Sequence, residues 1–300
     1  MSGHMKQLST DKSGSRFRKT GYLREDFRIF HNADSQVREI PFHYHDFHKL
    51  FILLSGNVSY VVEGRSYDLQ PWDVIPVNAG QIHRPVIHDD TLYERIIVYI
   101  SPRFFDAFRD QDADLFRCFS ACSESGTNLI RPGARTSQLL QRLSRDLIFS
   151  VTDTGTGADL LRRCRLTELL LLLTRSLERE DSVSVQETTS HPIIRRAIEY
   201  INEHLKDDTL SVDRIAHEMA LNRSYLMHLF KEQTGYTIGT YIKEKRLFLA
   251  STLISQGEAV TEACYASGFP SYSAFYYAYR KKYASPPAQQ RAAEKHISDE

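Results

Sequence analysis

The chain has 300 residues, of which 38 are basic and 38 acidic, with 41% hydrophobic residues and four cysteines. That length supports two domains with separate cores, and the composition is that of a soluble globular chain. Zero formal net charge excludes binding to nucleic acid by bulk attraction, and the leucine run 169–173 is far too short to cross a bilayer.

The opening Met1-Ser-Gly-His-Met5 reads as an added leader ahead of a native start at Met5. From residue 20 to 100 the sequence is strand-like. Short β-branched or aromatic runs (Phe51-Ile-Leu-Leu, Val58-Ser-Tyr-Val-Val, Ile96-Ile-Val-Tyr-Ile) alternate with turn signals at Ser55-Gly56, Glu63-Gly64, Pro71 and Asn78-Ala-Gly80. Many short strands with regular turns predict a small antiparallel barrel or jelly roll, within a first domain of residues 6–100. Within it, His43, His45, Phe47, Lys49 and Phe51 share one strand face and His48 takes the other, while His83 follows a second turn.

Residues 101–180 predict a helical segment. A helix starts at Ser101-Pro102 with proline in its first turn, and helices follow over 136–150 and 157–180. The last of these is hydrophobic nearly all round at 169–173, more than a helix covering one barrel requires. Leu161, Leu171 and Leu172 are therefore candidates for pairing with a second subunit. Residues 181–190 are polar and aperiodic and read as a linker. Cys118, Cys122, Cys164 and Cys264 contain no Cys-x-x-Cys pair and, without a signal peptide, read as reduced thiols of a cytoplasmic protein.

Residues 191–292 are helical and hold two helix-turn-helix patterns in tandem. Val212/Val260 and Ala216/Cys264 match at an offset of 48, and Leu226/Phe275 and Phe230/Tyr279 at 49. Each unit has a short amphipathic helix, a tight turn and a second helix with a polar outer face, the shape that enters a DNA major groove. Ser211 and Ser271 are N-caps, Gly268 supplies the second turn, and 238–254 forms a spacer helix. From residue 191 onward there are 14 basic against 13 acidic residues, so DNA binding is inferred from pattern rather than from charge. An all-helical interaction module is the alternative to two registered DNA-binding units.

These stretches, from Leu210-Ser211 through Tyr225-Leu226, Thr234-Gly235-Tyr236, Arg246-Leu247, Gly268-Phe269 and Arg280-Lys281-Lys282-Tyr283 to Arg291, resemble the AraC/XylS family of transcription regulators. The resemblance implies base contacts from Ser224, Met227 and His228 and from Ser273 and Tyr277, with Arg280 and Lys281 on phosphates. Outward-facing Tyr225 and Lys231 complete that set. Three departures stand out. Ala263 and Cys264 imply a looser second core, Gln290 replaces an aromatic, and Tyr277 lacks the bidentate fork of Arg or Gln. The resemblance also implies a dimer helix over 157–180 and contact with RNA polymerase.

The spacing His43-x-His45-x3-Lys49, followed by Pro76-x6-His83, resembles the two cupin motifs. It implies a sensor barrel. The donor-rich wall of inward His43, His45, Lys49 and His83, with Arg95 or Glu94, suits hydrogen bonding to a small polar effector such as a sugar, a sugar acid or another oxygen-rich metabolite. Metallocupins carry a glutamate where Lys49 stands. His43, His45 and His83 would be the ligands if a metal bound, and histidines satisfied in a barrel wall are the structural alternative. No cofactor and no membrane partner are expected.

The fold class expected is α+β: an N-terminal cupin-like antiparallel barrel with dimerisation helices, then an all-α double helix-turn-helix domain. The function expected is an effector-controlled, sequence-specific regulator, an activator, bound to double-stranded DNA as a homodimer and not an enzyme. The rivals are a metal-dependent cupin enzyme fused to a helical domain and a ligand-independent regulator.

Overall fold

The computed structural model describes residues 23, 25–35, 39–108, 114–179, 182–183 and 189–289. Met5, Gln290, Arg291 and most of the linker lie outside them.

The strands are β1 (Phe27–Asp34), β2 (His48–Ser55), β3 (Val58–Val62), β4 (Arg65–Asp68), β5 (Val74–Val77), β6 (His83–Ile87) and β7 (Tyr93–Ile100). They form two antiparallel sheets, one ordered β1-β7-β2-β5 and the other β4-β3-β6. A two-residue turn, Glu63-Gly64, joins β3 to β4 with both residues at positive φ, the geometry that suits the right-handed twist of a hairpin. The period of two sorts side chains between layers. Phe51 and Leu53 of β2 point between the sheets with Tyr60, Val62 and Tyr67. Leu50 and Ile52, with Ile96, Val98 and Ile100 of β7, point to the outer face of the first sheet.

That outer face is covered by helices. They are α1 (Pro102–Asp106), capped by Ser101; α2 (Arg117–Ser125); and, after β8 (Arg131–Pro132), α3 (Ala134–Val151) and α4 (Ala158–Glu178). Helix α2 has no counterpart in the sequence expectation; it buries Cys118 and Phe119 under the first sheet. The buried stripe of α4 runs through Leu166, Leu169, Leu170 and Leu173, a helical i, i+3, i+4, i+7 set.

Both ends of the predicted linker are fastened by backbone pairing. β9 (Ser182–Val183) pairs with β8, and β10 (Thr189–Ser190) pairs with β4 at Ser66 and Arg65. Alternation of polar residues hid these two-residue bridges from a reading based on hydrophobic pattern.

The C-terminal part holds α5 (Pro192–Glu203), α6 (Val212–Glu218), α7 (Arg223–Thr234), α8 (Ile238–Ser255), α9 (Val260–Ala266) and α10 (Tyr272–Tyr283). Ser211, Asn222, Thr237 and Ser271 each accept a backbone N–H as N-caps. Gly268 ends the first helix of the second unit at φ +87°, where an added Cβ would collide with the Leu205 carbonyl. Ala263 and Cys264 are buried with Leu247, Phe269, Phe275 and Tyr279 in a core of their own. No helix among the described residues is long and apolar enough to cross a membrane.

The first helix-turn-helix unit shares its core with the barrel. Phe42, Tyr44 and Ile82 are buried together with Ile194, Ile198, Tyr236, Tyr241 and Ile242, and Val61 packs against them. The outer face of the second sheet is thus covered by the helix-turn-helix domain, as α1 to α4 cover that of the first. Burying each of these large side chains contributes on the order of 1.5–3 kcal/mol.

Candidate functional site

The segment 42–45 alternates between two environments. His43 and His45 face the barrel interior, and Phe42 and Tyr44 face the helices outside. His43 and His83 exchange backbone hydrogen bonds at 3.1 and 2.9 Å, which brings the rings of His43, His45 and His83 to centroid separations of 4.4–5.2 Å. Lys49, 5% exposed, lies beside them, with Nζ 3.4 Å from His83 Nε2. The strand parity that groups His43, His45, Lys49 and His83 therefore holds in three dimensions, and His48 packs on the opposite face among Phe105, Phe116 and Phe119.

The tautomers follow from the partners. His43 Nδ1 is 2.8 Å from the Pro41 carbonyl and His83 Nδ1 is 3.0 Å from the Gln81 carbonyl. A carbonyl only accepts, so both Nδ1 atoms carry the proton and both Nε2 atoms present lone pairs. Burial pushes His43 down to about 4, aided by the nearby Lys49 charge, and moves His83 well below the usual imidazole range. Both rings are neutral at pH 7. Burial, with repulsion from Arg95, brings Lys49 down to about 7.

Of the two further effector candidates, Glu94 needs correction, and Arg95 faces the pocket with a partner already on it. Glu94 lies on the other face of β7, where its carboxylate meets His31 Nε2 at 2.7 Å; the alternation of β7 puts it one residue out of phase with the pocket. Arg95 has the right parity, but Asp34 holds it at 2.6 Å and it stacks on the Tyr93 ring at 4.1 Å. Tyr60 and Tyr99 were missed, and Phe47, placed on the histidine face, was not counted in the site. Tyr60 stacks on His83, Phe47 stacks on His45, and the Tyr99 ring lies 5.4 Å from that of His45. Their odd or even positions on strands already carried that information.

What argues against a divalent metal at this wall is the donor chemistry rather than the spacing. One ring nitrogen from each of His43, His45 and His83 lies within 4.8 Å of the others. That spacing would allow three imidazoles to share an ion. Among the described residues no carboxylate joins the cluster, and the Lys49 amine sits at the His83 lone pair.

Behind this wall, α8 docks through Tyr241, Glu244, Lys245 and Phe248, spaced i, i+3, i+4, i+7. Glu63, at the β3–β4 turn, accepts from the Ile82 N–H at 2.7 Å, from Lys245 Nζ at 3.0 Å and from the Tyr241 hydroxyl. The Tyr44 hydroxyl donates to Glu244, which also pairs with Lys282 at 2.9 Å. Gly80 lies so close to Phe248 that an added Cβ would come within 2.7 Å of its ring.

The predicted DNA-contacting residues lie on exposed faces. Ser224, Tyr225, Met227, His228 and Lys231 are exposed on α7, and Ser273, Tyr277, Arg280 and Lys281 on α10, with Tyr277 at 75%. On α4, Leu161 is exposed, while Leu171 and Leu172 are half-buried. Leu171 and Leu172, with Leu139 and several arginines, line an open groove of about 570 Å³ between α3 and α4.

Comparison with known proteins gives two family matches. The AraC-like ligand binding domain matches residues 28–170, and a helix-turn-helix domain matches 193–293. The probable transcriptional regulator LumQ of Photobacterium leiognathi is 27% identical over 249 residues, covering 83% of this chain and 90% of its own. The transcriptional activator RhaS of Shigella sonnei is 26% identical over 266 residues, covering 83% and 86%. Among solved structures, ToxT from Vibrio cholerae aligns over 89% of this chain and 98% of its own at 14% identity, with a TM-score of 0.34.

The Lys49 environment sets a pH signature. The unfolded chain keeps lysine near 10.5 and the folded chain holds it near 7, so between those values the unfolded state binds more protons and stability rises with pH. Below pH 7 the cost of the buried charge is present in full. Lys49→Met should therefore be more stable than the wild type by roughly 2–4 kcal/mol at pH 7, shrinking below about 1 kcal/mol by pH 10. Urea unfolding of both proteins across that range measures it; a gap independent of pH would mean that Lys49 titrates normally.

Proposed function

This chain belongs to the AraC family of transcription regulators, and from that premise we propose that it is a sequence-specific DNA-binding homodimer controlled by a small polar effector. The observation that carries the reading is the pair of exposed recognition helices, α7 and α10, on a domain whose spacer helix α8 is docked to the sensor. The effector site is the His43, His45, Lys49 and His83 wall, with Tyr60 and Tyr99 added to it. An effector acts by favouring one arrangement of α8 against that wall, which requires different affinities for the two arrangements. The fastened ends of the linker favour this route over free swinging of 181–190. Similarity to the transcriptional activator RhaS supports activation, with RNA polymerase as the further partner.

Base contacts come from Ser224, Met227, His228, Ser273 and Tyr277, with Tyr225, Lys231, Arg280 and Lys281 framing them. On an operator selected from random duplexes, His228→Ala and Tyr277→Ala should each cost about 1–3 kcal/mol of binding. Lys281→Ala should weaken all sequences alike and flatten the salt dependence. Selection that returns no preferred sequence would remove the specific-regulator reading.

Dimerisation uses the outer face of α4, where Leu161 is exposed and Leu171 and Leu172 border the groove shared with α3. Exposed leucines beside interleaved Arg165, Glu168 and Arg175 suit a symmetric contact with a second copy. Leu161→Glu should sediment as a folded monomer at micromolar concentration, against a dimeric wild type. A monomeric wild type on DNA and off it would contradict this.

A further inference from the structure

Lys49 is a buried amine with no anionic partner among the described residues. Among the described residues its nitrogen meets only His83 Nε2 at 3.4 Å and the Tyr60 ring at 5.6 Å. A buried charge in natural proteins is ordinarily paired, because desolvation without compensation is expensive. The groups around it come from every packed element: Tyr60 on β3, His83 on β6, His43 and His45 on the preceding segment, and Arg95 and Tyr99 on β7. None carries negative charge, and the nearby Asp34 of β1 is already taken by Arg95 at 2.6 Å.

The same wall shows a second, opposite demand. His43 Nε2 and His83 Nε2 both present lone pairs, since each ring donates its Nδ1–H to a backbone carbonyl, and the one donor that reaches either is Lys49 Nζ, at a long 3.4 Å from His83 Nε2, among the described residues. A ligand that brought only acceptor oxygens would leave these nitrogens facing lone pairs. A ligand that brought only hydroxyls would leave the ammonium without a counter-charge.

We propose that the effector is a small hydroxy acid whose single carboxylate pairs with Lys49 and whose hydroxyls donate to His43 Nε2 and His83 Nε2. This rests on the effector-pocket reading above and narrows it from polar compounds in general to monoanions with hydroxyl donors. One ammonium balances one carboxylate, so a phosphate dianion would remain undercompensated with Arg95 committed elsewhere. A plain alkyl carboxylate would strand both imidazoles, at the cost a buried unpaired polar group carries. Binding also takes up a proton at Lys49, because the carboxylate favours the charged amine.

Calorimetric titration of the full chain tests this with a panel of four- to six-carbon aldonates and uronates, their neutral alditols and sugars, and alkanoates of equal length. At least one hydroxy acid should bind, and its neutral and alkyl counterparts should bind at least tenfold more weakly. Raising the pH from 6.5 to 8.5 should weaken the acid at least tenfold. Lys49→Met, checked for folding by circular dichroism, should lose it. A neutral sugar that binds more tightly than every acid, with affinity lost in His83→Phe, would overturn the hydroxy-acid assignment and leave the pocket standing. Binding of an acid undiminished in Lys49→Met would likewise overturn the assignment. No binding by any compound would overturn both the assignment and the pocket.

Discussion

A strand shows alternate side chains to opposite sides, and here that constraint makes one wall serve two cores. His43 and His45 belong to the barrel interior while Phe42 and Tyr44 belong to the helix-turn-helix core. The pattern recurs at Ile82 and His83 and at Val61 and Tyr60. A side chain cannot shift on the inner face without moving the backbone that carries its neighbour on the outer face, because close-packed interiors transmit displacement. The exposed recognition helices are fixed to that outer face through α8.

Charge is arranged differently on the two sides. The outer side is satisfied: Glu63 takes an N–H, an ammonium and a hydroxyl, so its burial is offset by charge-assisted hydrogen bonds. The inner side is unsatisfied, with a lone amine among neutral imidazoles. A firm joint on one face and an uncompensated site on the other is the asymmetry expected where ligand binding supplies the missing interaction and the joint passes on its effect.

Much of this was legible in the sequence because it depends on local period. The barrel strands, the capped helices at Ser211 and Ser271, and the convergence of His43, His45, Lys49 and His83 follow from alternation, capping chemistry and turn residues. Glu94 failed because it and Arg95 are adjacent charged residues on one strand, and alternation lets only one of them face the pocket. The docking of Tyr241 on Glu63 spans 178 residues, and no local pattern reports such a pairing. Tyr241 was placed correctly on the spacer helix, yet nothing in its neighbourhood says that its hydroxyl leaves its own domain. The two-residue bridges at 182–183 and 189–190 are too short to show any period.

The central claim is that the inner wall and α8 move as one. Hydrogen exchange of the full chain, compared between the wild type and His83→Ala, measures it most directly. Removing the ring on the pocket side should speed exchange of amides 241–248 and of the turn at 63–64, leaving α3 and α10 unchanged. Faster exchange confined to β2 and β6, with 241–248 as protected as in the wild type, would contradict it.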